Sequence, residues 1–515
     1  AASTLDSLDV TSGTLTADGD LDVATSLSQS GGLITGAGTI SSSGDATFSG
    51  GTQGGTGATA IVSGTTATLT GDLTLADART LLNDGTIDLD GDGSILDGAG
   101  TGSTLSSIGT ITKSSGTGTS TLAAETTTLR GSLNADGGIL EITGGTTLDA
   151  TILSGDGTLR FSGAVTGTDV TQTGSGLTDF DGGLDLDALT VDTRNVRIGA
   201  ASTLGSLDVT SGELTADGAL DVADTLVQSG GQLNGSGTIT SSGTAAFSGG
   251  SQGGSGTTMI AEAAEATLDG DLTLADARNL EVAGTLDVAG DFALLDGEGT
   301  GSALTSSGTI TKSAGDGVAT LAPETVQLSG TARANVGTLA FGEGTTLAGA
   351  TLDGAGTLRF NGRITGTDVT QTGTGLTDFD GGLDLGTLTV ETRNVRIGAA
   401  STLDSLDISA GTLTANADLG VTNTTVSGGT LGGTGTVTVS SLFNQTGGLV
   451  DGGGQLLLDG GAEISNGSQG GTGTTVIASE TTATLTGDLT LADARNLEVA
   501  GTLDVAGDFA LLDGE

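Results

Sequence analysis

The chain is 515 residues long and carries 62 Asp and Glu against 14 Lys and Arg, a net charge of −48, with no His, Cys, Trp or Tyr. These numbers exclude zinc and haem ligation, thiol chemistry, disulfides and a Ser-His-Asp triad. So acidic a surface repels phosphates, which sets aside nucleic-acid partners, and no apolar run approaches the roughly 18 residues of a membrane helix.

The string AASTL begins at Ala1, Ala200 and Ala399, a spacing of 199 residues both times. The chain therefore divides into super-repeat copies over residues 1–199, 200–398 and 399–515. The first two agree without a gap at roughly two-thirds of positions, and the third breaks off in mid-pattern at Glu515. Self-similarity at this level identifies a stacked repeat architecture, with all three copies belonging to one continuous solenoid.

Along the first copy, a short motif of the form Leu-x-Gly-x-Gly-Thr-Leu appears at Ile34–Ile40 and again at Leu153–Leu159. LADAR at Leu75–Arg79 is the only brief helical candidate and reads as a turn or coil edge. Apolar residues then alternate with polar ones at Ile87 and Leu89, Leu140 and Ile142, Leu159 and Phe161, Leu184 and Leu186, and Val196 and Ile198. Period-2 alternation over a few residues, bounded by Gly, Asn or Asp, predicts short half-buried strands. The second copy repeats the motif at Leu233–Ile239 and Leu352–Leu358.

The third copy holds the motif twice in tandem, at Leu431–Val437 and Val450–Leu456. A unit that inserts whole near 427–445, and leaves the later register intact, behaves as one extra coil. Short strands, glycine corners and this unit length predict an all-β parallel β-solenoid with coils of about 19–22 residues, roughly 26 in all at ~20 residues each.

The stretch SGGTLGGTGTV at Ser427–Val437 resembles the passenger-associated repeat of bacterial autotransporters. The GTI, GTL and TGDLTL segments are similar to secreted adhesins of the filamentous-haemagglutinin type. The resemblance implies a right-handed β-helix on or beyond the bacterial surface. It specifies a coil and names no binding partner.

Two acidic clusters are candidates for chemistry. Asp179, Asp181 and Asp185 in TDFDGGLD recur as Asp378, Asp380 and Asp384. Oxygen-rich, glycine-turned sites suit calcium, but Arg197 and Arg396 each follow about one coil later, so an inter-coil ion pair would also account for the pattern. Asp88 to Gly93 opens like an EF-hand loop and fails at the twelfth position, where Ala99 stands in place of Glu. Catalytic residues are not assigned: the acidic pairs are duplicated with their coils, and no coil stands out by a long loop insertion. The basic residues, among them Arg79, Lys113, Arg194 and Arg197, read as charge relief within an acidic rod, the alternative being a basic stripe that recognises an acidic glycan or a neighbouring filament.

The sequence thus points to a non-enzymatic extracellular structural protein, a rigid rod, stalk, fibre or surface coat. Its expected partners are further copies of the same array. An adhesin binding a glycan or a cell surface is the alternative, with Phe443 and Asn444 of the extra coil as its one visible irregularity. A polysaccharide-active enzyme is a third reading.

Overall fold

The computed structural model describes residues 3–514. Sixty-five strands and no helix run through the described residues, most of them only three or four residues long. Away from the two ends, strands pair in parallel with those one coil before and one coil after. Thr86–Leu89, for example, lies between Thr66–Leu69 and Thr110–Lys113. The result is a parallel β-solenoid of about 27 turns.

Two compact units divide the described residues. One runs to Thr244 and includes Gly249–Thr257, and the other comprises Ala245–Ser248 with Thr258 onward. Within each unit the ladder passes through the super-repeat boundaries without a break. Asp185 is opposite Thr203 in the first, and Asp384 opposite Thr402 in the second.

Alternation becomes a core because the side-chain period of a strand is two. Leu105 and Ser107, Ile87 and Leu89, and Leu140 and Ile142 all point inward and are buried. Equivalent inward positions in successive coils fall directly above one another. Phe161 therefore stacks on Phe180 at 5.0 Å between ring centroids. Phe341, Phe360 and Phe379 form a three-ring stack at 5.0 and 5.1 Å. That distance is close to the inter-strand spacing of about 4.8 Å, so the ladder itself sets an offset-stacked geometry.

The Gly-x-Gly motif builds one corner of the coil. Gly155 has φ +101°, and a Cβ there would lie 2.1 Å from the Ala135 carbonyl oxygen of the coil below. Both the left-handed backbone and the close approach require glycine. The LADAR segments are turns, as the sequence suggests: Asp77 sits at φ 52° and its carboxylate accepts the Gly55 N–H at 3.0 Å.

Coil length is less uniform than the expected 19–22 residues. Leu177 pairs with Asn195, 18 residues on, whereas Ile95 pairs with Leu122, 27 residues on. Loops around Asp90–Ser94, Gly98–Ser103 and Ser114–Gly118 account for the longer coils, and the second copy matches them, with Leu294 opposite Leu321. Against the expectation that no coil stands out by a long loop insertion, these loops set the longer coils apart. Gly-, Ser- and Thr-rich loops have the same composition as the corners, so composition alone did not separate them.

Candidate functional site

Asp179 points outward from the strand Leu177–Phe180, directly between Arg160 of the preceding coil and Arg197 of the next. Glu141 lies beyond Arg160, so acid and base alternate along this column. Arg197 Nη1 is 2.9 Å from Asp179 Oδ1 and 3.1 Å from Asp181 Oδ1, and its Nε reaches Asp217 at 3.0 Å. The Asp179 carboxylate is only 10 % exposed, which strengthens its attraction to the guanidinium. Hydrogen bonds that Arg197 donates to Asp179, then to Asp217, hold its pKa above the ordinary value. In the second copy Arg396 Nη2 contacts Asp378 and lies 2.7 Å from Asp380.

Asp185 and Asp384 do not join these clusters. The Asp-Gly-Gly turn carries them onto another strand, where Asp185 accepts Thr203 Oγ1 at 2.6 Å and Asp384 accepts Thr402 Oγ1 at 2.7 Å. Among the described residues no group of three acidic side chains is placed to hold a metal ion. At Asp179 and Asp181 the cation in place is arginine, and the geometry is that of the inter-coil ion pair.

The EF-hand-like turn behaves similarly. Lys113, with its side chain fully buried, places its ammonium 3.0 Å from Asp92 Oδ1 and 3.1 Å from Ser120 Oγ. Asp92 also accepts the Gly118 N–H at 3.0 Å, and Asp90 accepts Ser115 Oγ at 2.7 Å. Lys312 and Asp291 repeat the clamp at 2.8 Å. In both, the lysine hydrogen bond comes first among the causes that depress the aspartate pKa.

Charge relief alone does not describe four of the remaining cations. Arg79, Arg194, Arg278 and Arg393 are fully buried. Arg194 donates from Nε to Thr178 Oγ1 at 2.8 Å and from Nη2 to the Gly157 and Leu177 carbonyls at 2.9 and 2.7 Å. Its Nη1 reaches the Gly155 carbonyl, 39 residues back, so one guanidinium ties together three successive coils. Thr178 in turn donates to Gln172 Oε1 at 2.8 Å. Arg393, Thr377 and Gln371 reproduce the relay. Burial lowers the Arg194 and Arg393 pKa to about 10, so both remain charged near neutral pH.

A sequence signal for this relay exists. Gln-x-Gly-x-Gly-x-Thr occurs at Gln53–Thr59, Gln172–Thr178, Gln252–Thr258, Gln371–Thr377 and Gln469–Thr475, and an arginine follows each within one coil. It is a polar variant of the Leu-x-Gly-x-Gly motif, with inward Gln and Thr replacing the two apolar residues.

An open surface groove lies in the second unit. Strands Ile364–Gln371, Leu383–Val390, Ser401–Ile408, Leu419–Val426 and Val437–Gln445 present an open groove of about 610 Å³. Thr365, Thr367, Asp384, Thr402, Asp404 and Thr422 line it. Gly386 and Gly420, lacking side chains, leave the depression between them. The extra coil contributes Thr438 and Ser440. Its Phe443 is fully buried in the core, and Asn444 lies opposite Thr425 in the ordinary ladder. The irregularity seen in the sequence is thus packed as a regular coil.

Comparison with known proteins finds no family model, no curated protein and no solved structure that matches this chain. The likeness to autotransporter passengers and haemagglutinin-type adhesins accordingly rests on the motif texture alone.

Proposed function

We propose that this chain is a non-enzymatic, extracellular structural repeat protein, acting as a mechanical spacer in a stalk, fibre or surface coat of a bacterial cell. The observation that carries this reading is the use made of its charged side chains. Arg194 spans three coils, Arg197 links Asp179 and Asp181 to Asp217, and Lys113 clamps Asp92. Groups that could do chemistry are spent on holding coil to coil. Parallel rows of backbone hydrogen bonds must then fail together for a coil to separate, which suits a load-bearing role.

The −48 charge keeps neighbouring copies apart until salt screens it or a divalent cation bridges their carboxylates. Calcium would act here between molecules, across exposed carboxylates. Electron microscopy of the purified chain in calcium and in EDTA tests the reading. Ordered arrays or filaments that form in calcium and disperse in EDTA support it. Single molecules under both conditions overturn self-association.

The groove at Thr365–Thr422 favours a second reading, an adhesin whose hydroxyl-rich face takes a surface glycan. Selective retention of a glycan that Thr402→Val and Thr422→Val abolish would support it. Turnover of an acidic polysaccharide would overturn both readings in favour of an enzyme.

A further inference from the structure

Asn466 occupies the exposed bend between the strands Gly461–Ile464 and Ser468–Gln469. The matched stretches of the first two copies, Ser49-Gly50-Gly51 and Ser248-Gly249-Gly250, have glycine at this place. The third copy reads Ser465-Asn466-Gly467, and the new asparagine precedes a glycine with φ +123°. The Gly467 N–H donates to Asn466 Oδ1 at 2.9 Å, so the backbone nitrogen and the side-chain amide of the same turn are already in contact. Two other Asn-Gly pairs are restrained. Asn234 Nδ2 donates to Glu213 at 2.7 Å and to Gln232 at 3.1 Å. Gly362, after Asn361, is buried, and a Cβ there would lie 2.8 Å from Glu343 Cα.

From this geometry we infer that Asn466–Gly467 is a self-modification site, at which the folded chain converts Asn466 to aspartate and isoaspartate. The Gly467 nitrogen loses its proton and attacks Asn466 Cγ. The Cγ–Nδ2 bond breaks, ammonia leaves, and a five-membered succinimide remains. Water then opens either imide carbonyl, giving Asp or isoAsp, with no oxidant, metal or cofactor consumed. Keeping the Gly467 nitrogen against the Asn466 side-chain amide, rather than leaving the two to meet by chance, is the source of the rate advantage.

The product changes the coil. IsoAsp adds one backbone methylene before Gly467, one residue ahead of the strand Ser468–Gln469. Gln469 Nε2 donates to Gln445 Oε1 at 3.1 Å, and Gln469 accepts from Thr475 at 2.6 Å. Thr475 holds Arg495. Modification therefore loosens the buried relay of the third copy and adds a negative charge, a slow chemical clock confined to one coil.

Peptide mass mapping of the intact chain during incubation at neutral and mildly alkaline pH tests the inference. The Asn466 peptide should gain roughly one dalton and should do so about tenfold faster than those of Asn234 and Asn361. The rate should rise with pH, because the attacking amide must lose a proton. Asn466→Gly, the residue of the matched coils, should fold and remain unmodified at this position. Two results would overturn the inference: Asn234 or Asn361 reacting first, or Asn466 reacting no faster in the folded chain than in urea.

Discussion

At the scale of single residues, the copies act as natural substitution experiments. Ala150 is held at φ 51°, a left-handed conformation costly for any residue with a Cβ. The matched residue of the second copy is Gly349, at φ 75°, with nothing within 4 Å of an added Cβ. The cost at Ala150 is therefore backbone strain alone. Ala150→Gly should stabilise the first unit by about 0.5–1 kcal/mol, the strain relieved less the extra chain entropy of glycine. Urea unfolding followed by circular dichroism would register the shift.

Arg194 gives the opposite case. Arg194→Ala opens a cavity and removes four donors from buried acceptors, and should cost about 3 kcal/mol. Arg194→Lys should not rescue it, since an ammonium cannot span the carbonyls of Gly155, Gly157 and Leu177 with a planar fork. Arg130→Ala breaks an exposed pair with Asp149 at 2.9 Å and should cost less than about 1 kcal/mol. Equal costs in denaturant titrations at the two sites would refute the clamp. The burial of Arg194 was not legible because arginine is mostly exposed in folded proteins. Its context, Gln172 and Thr178 on the inward period of flanking strands, was there to be read.

Among elements, the strands and corners were legible and the loops were not. Alternation at Leu140 and Ile142 requires one face inward, and Gly155 marks where the chain must turn. Nothing in Gly98–Ser103 or Ser114–Gly118 distinguishes a protruding loop from a corner, so the long coils emerged only in three dimensions. The acidic clusters were legible as places where a cation sits. Which cation was not, because Lys113 and Arg197 reach Asp92 and Asp179 from the adjoining coil.

These loop clamps make a pH prediction. The Lys113 and Lys312 hydrogen bonds hold the Asp92 and Asp291 carboxyls below their ordinary range. A depressed carboxylate pKa contributes stability that is full above the unfolded value of about 3.9 and disappears as pH falls through the lower folded value. Acidification through that window should release the Gly118 and Gly317 amides, which Asp92 and Asp291 accept. Hydrogen exchange at these two amides should accelerate there relative to core amides such as Leu140. Asp208 runs the other way: burial raises its pKa, so its protonation on acidification relieves a cost of folding.

At the scale of the whole molecule, the repeat makes stability close to a sum of coils and their interfaces. The third copy then offers a direct test, because its extra coil is paired like any other. Val426 lies opposite Gln445, and Thr425 opposite Asn444, so the ladder advances by 19 residues there. Deleting Val426–Asn444 brings Gln445 to the place of Val426, with Thr446 following where Ser427 stood. Gln445 keeps its inward position and its bond to Gln469. The shortened chain should fold with unchanged β-sheet signal per residue and lose only one coil's share of the denaturant m-value. Deleting an odd number of residues short of a whole coil, such as Thr438–Leu442, should instead turn inward side chains outward, because a strand alternates faces with every residue. That variant should expose Phe443 and unfold the third copy locally, seen as protease cleavage between residues 427 and 470. Equal tolerance of both deletions would mean that the register there is not fixed by the inward pattern, and the solenoid account of the insertion would fail.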